Sequence, residues 1–134
     1  MIIKGEMAVM LGVLGFRKGD NRILDAIVLV GPKMEIDEFD DGATYYVFPA
    51  SGTDLLFEDG VLVAVLVEAR NYPRPEALVE GLPITATRTE VLALMGKPER
   101  TGPTFDRYEV NGHYLHFEFD AGRISRLTAL LEPV

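Results

Sequence analysis

The chain predicts an α+β fold of two tandem helix-plus-antiparallel-meander modules, with the helices packed on one face of the sheet or sheets. Three observations predict it. Shifted by 62 residues the sequence falls on itself: Tyr46 meets Tyr108, Leu55 meets Phe117, Phe57 meets Phe119, Gly60 meets Gly122 and Leu62 meets Ile124. Each half holds a short apolar segment closed by glycine and proline, at Gly31-Pro32 and at Gly96-Lys97-Pro98. Behind each stop come alternating stretches separated by tight-turn signals, Asp59-Gly60 in the first half and Asn111-Gly112 in the second.

Residues 1–70 form the first expected module. The apolar stretch 7–16 reads as a buried strand or helix. It is interrupted by too much charge on its flanks for an export signal and is too short to span a bilayer, which takes about 20 residues. Gly19 and Asp20 start a second helix whose buried side holds Ile23, Leu24, Ile27 and Val28. Four strands should follow, at 34–39, Ala43–Phe48, Thr53–Glu58 and Val61–Glu68. The last is a β-branched run expected to be buried on both faces. Residues 71–83, with three prolines, read as a stiff linker within one compact architecture.

Residues 84–134 form the second expected module. Thr87-Arg88-Thr89-Glu90 has the form of a capping box, and Val91, Leu92, Leu94 and Met95 should fill the buried side of the helix behind it. Strands at Phe105–Val110, 114–119 and 123–131 complete the meander.

Charge and composition exclude several function classes. The 134 residues carry 21 acids against 13 bases, a net charge of −8, which opposes binding to nucleic acid and to anionic membranes. Eight carboxylates and no base lie between residues 35 and 59, a field that favours a basic partner. With no cysteine there is no disulfide framework or thiolate metal site, and a cytoplasmic location is the expectation. His113 and His116 stand three apart on a strand and so point to opposite faces, which argues against a metal site. The acidic stretch from Asp37 fails the calcium-loop spacing, because Phe39 and Phe48 occupy ligand positions. No nucleophile motif or phosphate-binding glycine pattern is present, so neither catalytic residues nor a cofactor are predicted.

Strand alternation then selects a candidate binding face. If Leu55, Phe57, Tyr108, Leu115 and Phe117 point to the helices, Tyr45, Asp54, Glu58, Arg107, His116, Glu118 and Arg126 are left to meet a partner. Asp37, Glu38, Asp40 and Asp41 would form an electrostatic rim.

The stretch Thr89-Glu90-Val91-Leu92-Ala93-Leu94-Met95-Gly96-Lys97-Pro98, followed by Phe117-Glu118-Phe119-Asp120 and Gly122, resembles the module of the SmpA/OmlA and β-lactamase-inhibitor-protein group. Two such modules in tandem resemble the inhibitor protein in particular, and the resemblance implies a saddle whose sheet clamps a protein target. Without an export signal, disulfides or a lipidated cysteine, the chain looks more like a bacterial immunity protein neutralising a toxin or enzyme domain. The expectation is therefore a non-enzymatic, cytoplasmic protein-binding module, monomeric or weakly dimeric, whose partner has a basic surface. The alternative is a small-ligand module using a cavity between sheet and helices.

Overall fold

Gly5 sets the start of the first helix. A computed structural model describes residues 1–133. In it, α1 spans Glu6–Val13, and its first amides donate to the carbonyls of Ala77 (2.9 Å) and Leu78 (2.8 Å). That approach requires glycine. A Cβ on residue 5, whose φ is +110°, would lie 2.6 Å from the Leu78 carbonyl oxygen. The expected buried strand or helix at 7–16 is thus a helix, with Met7, Met10, Leu11 and Val13 turned into the core.

Asp20 caps a 3-10 turn by accepting from the Arg22 amide at 2.9 Å, and α2, Leu24–Val30, continues from it until Gly31. The third helix, α3, spans Arg88–Met95. Thr87 caps it, and Glu90 accepts back from the Thr87 amide at 3.0 Å, completing the expected capping box. Only Val91 and Met95 of this helix are buried, one turn apart. Leu92 and Leu94 are 41% and 47% exposed, which corrects their assignment to the buried side. An eight-residue helix has room for a single narrow stripe, and neither leucine lies on it.

The strands are β1 (Glu35–Glu38), β2 (Ala43–Phe48), β3 (Thr53–Glu58), β4 (Val61–Glu68), β5 (Arg100–Thr101), β6 (Phe105–Val110), β7 (His113–Asp120) and β8 (Arg123–Leu130). They make one antiparallel sheet in the order β1-β2-β3-β4-β8-β7-β6-β5. Each half contributes a four-stranded meander, and the two meanders join where β4 pairs with β8. Three hairpin turns, Asp59-Gly60, Asn111-Gly112 and Ala121-Gly122, have positive φ at both residues, the geometry that matches the twist of the paired strands. Register shifts fall between Leu56 and Phe57 and between Glu118 and Phe119.

All three helices contribute to one core on one face of this sheet. Leu55, Phe57, Leu62, Val65 and Val67 from the first meander meet Tyr108, Leu115, Phe117, Leu127 and Ala129 from the second, under Met7, Met10, Ala26 and Val91 of the helices. Residues 71–83 lie against the same core, with Tyr72, Leu78, Val79 and Leu82 buried in it. The Tyr72 hydroxyl and the Arg74 guanidinium both donate to the Glu6 carboxylate, and Arg74 also donates to the Leu29 carbonyl, so this segment grips both α1 and α2.

A candidate protein-interaction face

The opposite face of the sheet carries no helix, and its side chains fall into cross-strand rows. The antiparallel register aligns Asp37, Tyr45, Leu56, Ala64, Leu130, Tyr114 and Glu109 across seven strands. The next row runs through Glu35, Val47, Asp54, Leu66, Thr128, His116, Arg107 and Arg100. A shorter third row holds Glu68, Arg126, Glu118 and Phe105. The first row is therefore apolar and aromatic across its central strands, with acidic ends at Asp37 and Glu109. The second row runs from Glu35 on β1 to Arg107 and Arg100 on β6 and β5, and the third carries the charged group Glu68, Arg126 and Glu118 on the central strands.

Strand β4 is covered by helices on one side alone, so the expectation that both its faces are buried is corrected. Leu66 is half-buried on the open face, and Ala64 is shielded there by its longer cross-strand neighbours, with 4% of its surface exposed.

Of the residues selected from the sequence, Tyr45, Asp54, His116, Glu118 and Arg126 share this open face and are half-buried. Arg126 is their hub. Its guanidinium pairs with Glu68 at 2.6 Å and reaches Glu118 at 3.6 Å. Asp54 sits one strand from Glu68. Burial raises its carboxyl above the usual range, the negative charges of Glu68 and Asp37 add to that effect, and the charge of Arg126 opposes it. His116 stacks on Phe105 with ring centroids 4.8 Å apart. Burial holds its imidazole below the ordinary histidine value, the nearby Arg107 charge acts in the same sense, and Glu118 acts against it.

Arg107 is the exception. It lies in the second row but is only 4% exposed, because the β5–β6 hairpin brings Glu99 to its guanidinium at 2.9 Å. Its expected role as an exposed anchor is corrected to a buried guanidinium paired with the exposed Glu99 at the edge of the face. Glu58 lies exposed at the end of β3, opposite Ala43. Of the expected rim, Asp37 lies in the first row opposite Tyr45, whereas Glu38 is opposite Thr44, which is buried on the helix side. Asp40 and Asp41 are exposed in the β1–β2 turn, where Asp41 accepts from the Ala43 amide at 3.1 Å.

Alternation turns Val47 and Leu56 outward without selecting them as contacts, and the residues that sequence reasoning passed over are Ala64, Leu66, Thr128 and Leu130 at the centre of the face. No alternation marks them in β4, whose residues are apolar from Val61 to Val67. Among the described residues no cluster of three or more histidines, aspartates or glutamates is placed to hold a metal ion, and no helix is long and apolar enough to cross a membrane.

No protein-family model matches the chain, and no curated protein matches it in sequence. Its fold is similar to that of an extracellular protein containing a SCP domain from Bacillus anthracis str. Ames, at 12% identity and a TM-score of 0.64, over 90% of this chain and 44% of that one. A cysteine-rich secretory protein from Staphylococcus aureus subsp. aureus Mu50 aligns at 14% identity and a TM-score of 0.48, over 90% of this chain and 45% of its own. The chain thus spans less than half the length of either protein. The first of these similarities corrects the resemblance to the SmpA/OmlA and β-lactamase-inhibitor-protein group, and with it the immunity and inhibitor readings. The motif behind that resemblance, a capped helix stopped by glycine and followed by a hairpin, is local chemistry that unrelated sheets can share. The cytoplasmic expectation is corrected as well, since the first of these neighbours is described as extracellular. A chain without cysteine is compatible with either redox compartment. What the comparison establishes for this chain is its fold, shared with 44% of a larger protein that contains a SCP domain.

Proposed function

We propose that the chain is a non-enzymatic protein-binding module that docks a basic protein surface on the uncovered face of its sheet. One observation carries the reading: the row Tyr45, Leu56, Ala64, Leu130 and Tyr114 places an apolar and aromatic band across the face, with Asp37 and Glu109 at its ends and the charged group Glu68, Arg126 and Glu118 two rows away. An apolar centre with aromatic anchors inside a polar rim is the usual anatomy of a protein interface. The acidic β1 end and the net charge of −8 favour a basic partner and oppose self-association beyond a weak dimer. The two halves are, on this reading, copies of one helix-plus-meander unit. The sheet order supports it, and so do the two register shifts, which fall 62 residues apart at Phe57 and Phe119. The space between sheet and helices, where a small ligand would have to sit, is occupied by Met7, Met10, Leu11, Phe48, Phe57 and Phe117.

The test is capture of partners from cell extract and culture medium of the native host, followed by binding of the purified candidate to wild type, Tyr45→Ala and Leu66→Lys. The expected result is a basic protein whose binding protects the β3, β4 and β8 amides from hydrogen exchange and falls by about tenfold or more in each variant. A partner that binds both variants as well as wild type, or one that protects the helix side instead, overturns the reading.

A further inference from the structure

The open face has a notch at its centre line. Ala64 stands between Leu56 on β3 and Leu130 on β8, so a single methyl group lies between two leucines. The resulting depression, of about 340 Å³, is lined by Leu56, Val63, Ala64, Leu130 and Leu131 together with two glutamates, Glu58 and Glu132. Its size is at the lower end of the range of ligand-binding clefts. Both glutamates are exposed, and neither is paired with a lysine or arginine among the described residues.

An apolar trough bordered by two acidic residues suits a long aliphatic chain that ends in a cation. We infer that this notch receives a lysine side chain of the docked partner, its methylene stem against Leu56, Ala64 and Leu130 and its ammonium held by Glu58 and Glu132. A lysine fits this arrangement better than an arginine. Its compact ammonium donates in several directions to separated acceptors, whereas the guanidinium fork is matched to a single carboxylate. The inference rests on the proposed docking face and names the chemistry that would be recognised there.

The full chain, labelled with nitrogen-15, is titrated with N-acetyl-lysine methylamide and, separately, with its neutral isostere N-acetyl-norleucine methylamide. The expected result is saturable amide shifts confined to Leu56, Glu58, Val63, Ala64 and Leu130, with lysine bound about tenfold more tightly than norleucine, as one charge contact provides. Glu58→Gln combined with Glu132→Gln should bring the two probes to equal affinity, and Ala64→Leu should fill the notch and abolish both. If Ala64→Leu loses its dispersed spectrum, the double glutamine variant decides alone. Equal affinity of the two probes for wild type, shifts outside the notch, or lysine binding that survives the double substitution overturns the inference. A notch that binds lysine in a chain that captures no protein sinks the docking reading alone. A captured partner bound equally by folded Ala64→Leu sinks the notch alone.

Discussion

Arg88 grips Asp106 with both ends of its guanidinium fork: Nε donates to Oδ2 at 3.0 Å and Nη2 to Oδ1 at 2.9 Å. The same side chain donates to the carbonyls of Gly102 and Pro103, each at 2.8 Å, and so ties the first turn of α3 to the β5–β6 loop. Asp106 is 1% exposed and faces the helix side of the sheet, where a lone carboxylate would be costly. The Arg88 side chain itself is 28% exposed, so Arg88→Met should destabilise the fold by about 1–3 kcal/mol, the range for leaving a buried acceptor without its donor. Urea unfolding measures it, and a loss under about 1 kcal/mol would mean that water solvates the pair.

Acid should attack the same pair. Burial alone would raise the Asp106 carboxyl, but the hydrogen bonds from Arg88 and Thr101 outweigh it and hold the carboxyl below the usual aspartate range. With the folded value depressed, the unfolded chain binds the proton more readily. The stabilisation is complete above the unfolded value of about 3.9 and is lost as pH falls through the folded one. Urea midpoints should fall below about pH 4 in wild type and less steeply in Asp106→Asn.

His116 gives a second, higher window. Its imidazole, half-buried against Phe105, is held below the ordinary value, chiefly by burial, so the folded state resists its protonation. Stability should decline as pH drops below the unfolded value of about 6.5. His116→Gln should remove that decline while leaving the acid limb of Asp106 in place, a difference readable in melting curves at pH 7.5 and 5.5.

Ala121 occupies a left-handed turn position with φ of +51°, where Asp59 and Asn111 stand in the equivalent hairpins. Alanine has no side-chain oxygen with which to favour that conformation. Ala121→Asn should stabilise the protein by about 0.5–1 kcal/mol, or roughly 2–4 °C in melting temperature. Calorimetry showing a lower melting temperature would refute it.

Local chemistry was the legible part of this chain. The Thr87–Glu90 capping box, the Gly31 and Gly96 helix stops and the Asn111-Gly112 turn depend on neighbours in sequence and stand where the residues put them. Alternation also placed Tyr45, Asp54, His116 and Glu118 on one face. Partners distant in sequence were the illegible part. The burial of Arg107 depends on Glu99, which immediately precedes β5, a two-residue strand that no periodicity could reveal. The anchoring of residues 71–83 depends on Glu6 and on the amides that Gly5 exposes. The centre of the candidate site was hidden for a similar reason, since a β-branched run such as β4 reads as doubly buried until one knows that β8 is its neighbour and that no helix lies above the pair.

The position of β8 has a consequence for how the molecule is made. The strand translated last among the eight fills the middle of the sheet, between β4 and β7. Until residues 123–130 leave the ribosome, β4 is an unsatisfied edge that shows Leu62, Val65 and Val67 on one side and Leu66 on the other. Such an edge is a template for pairing with another chain. The sheet is therefore closed by the last of these eight strands, and a nascent chain stalled before β8 leaves the apolar β4 edge open to pairing.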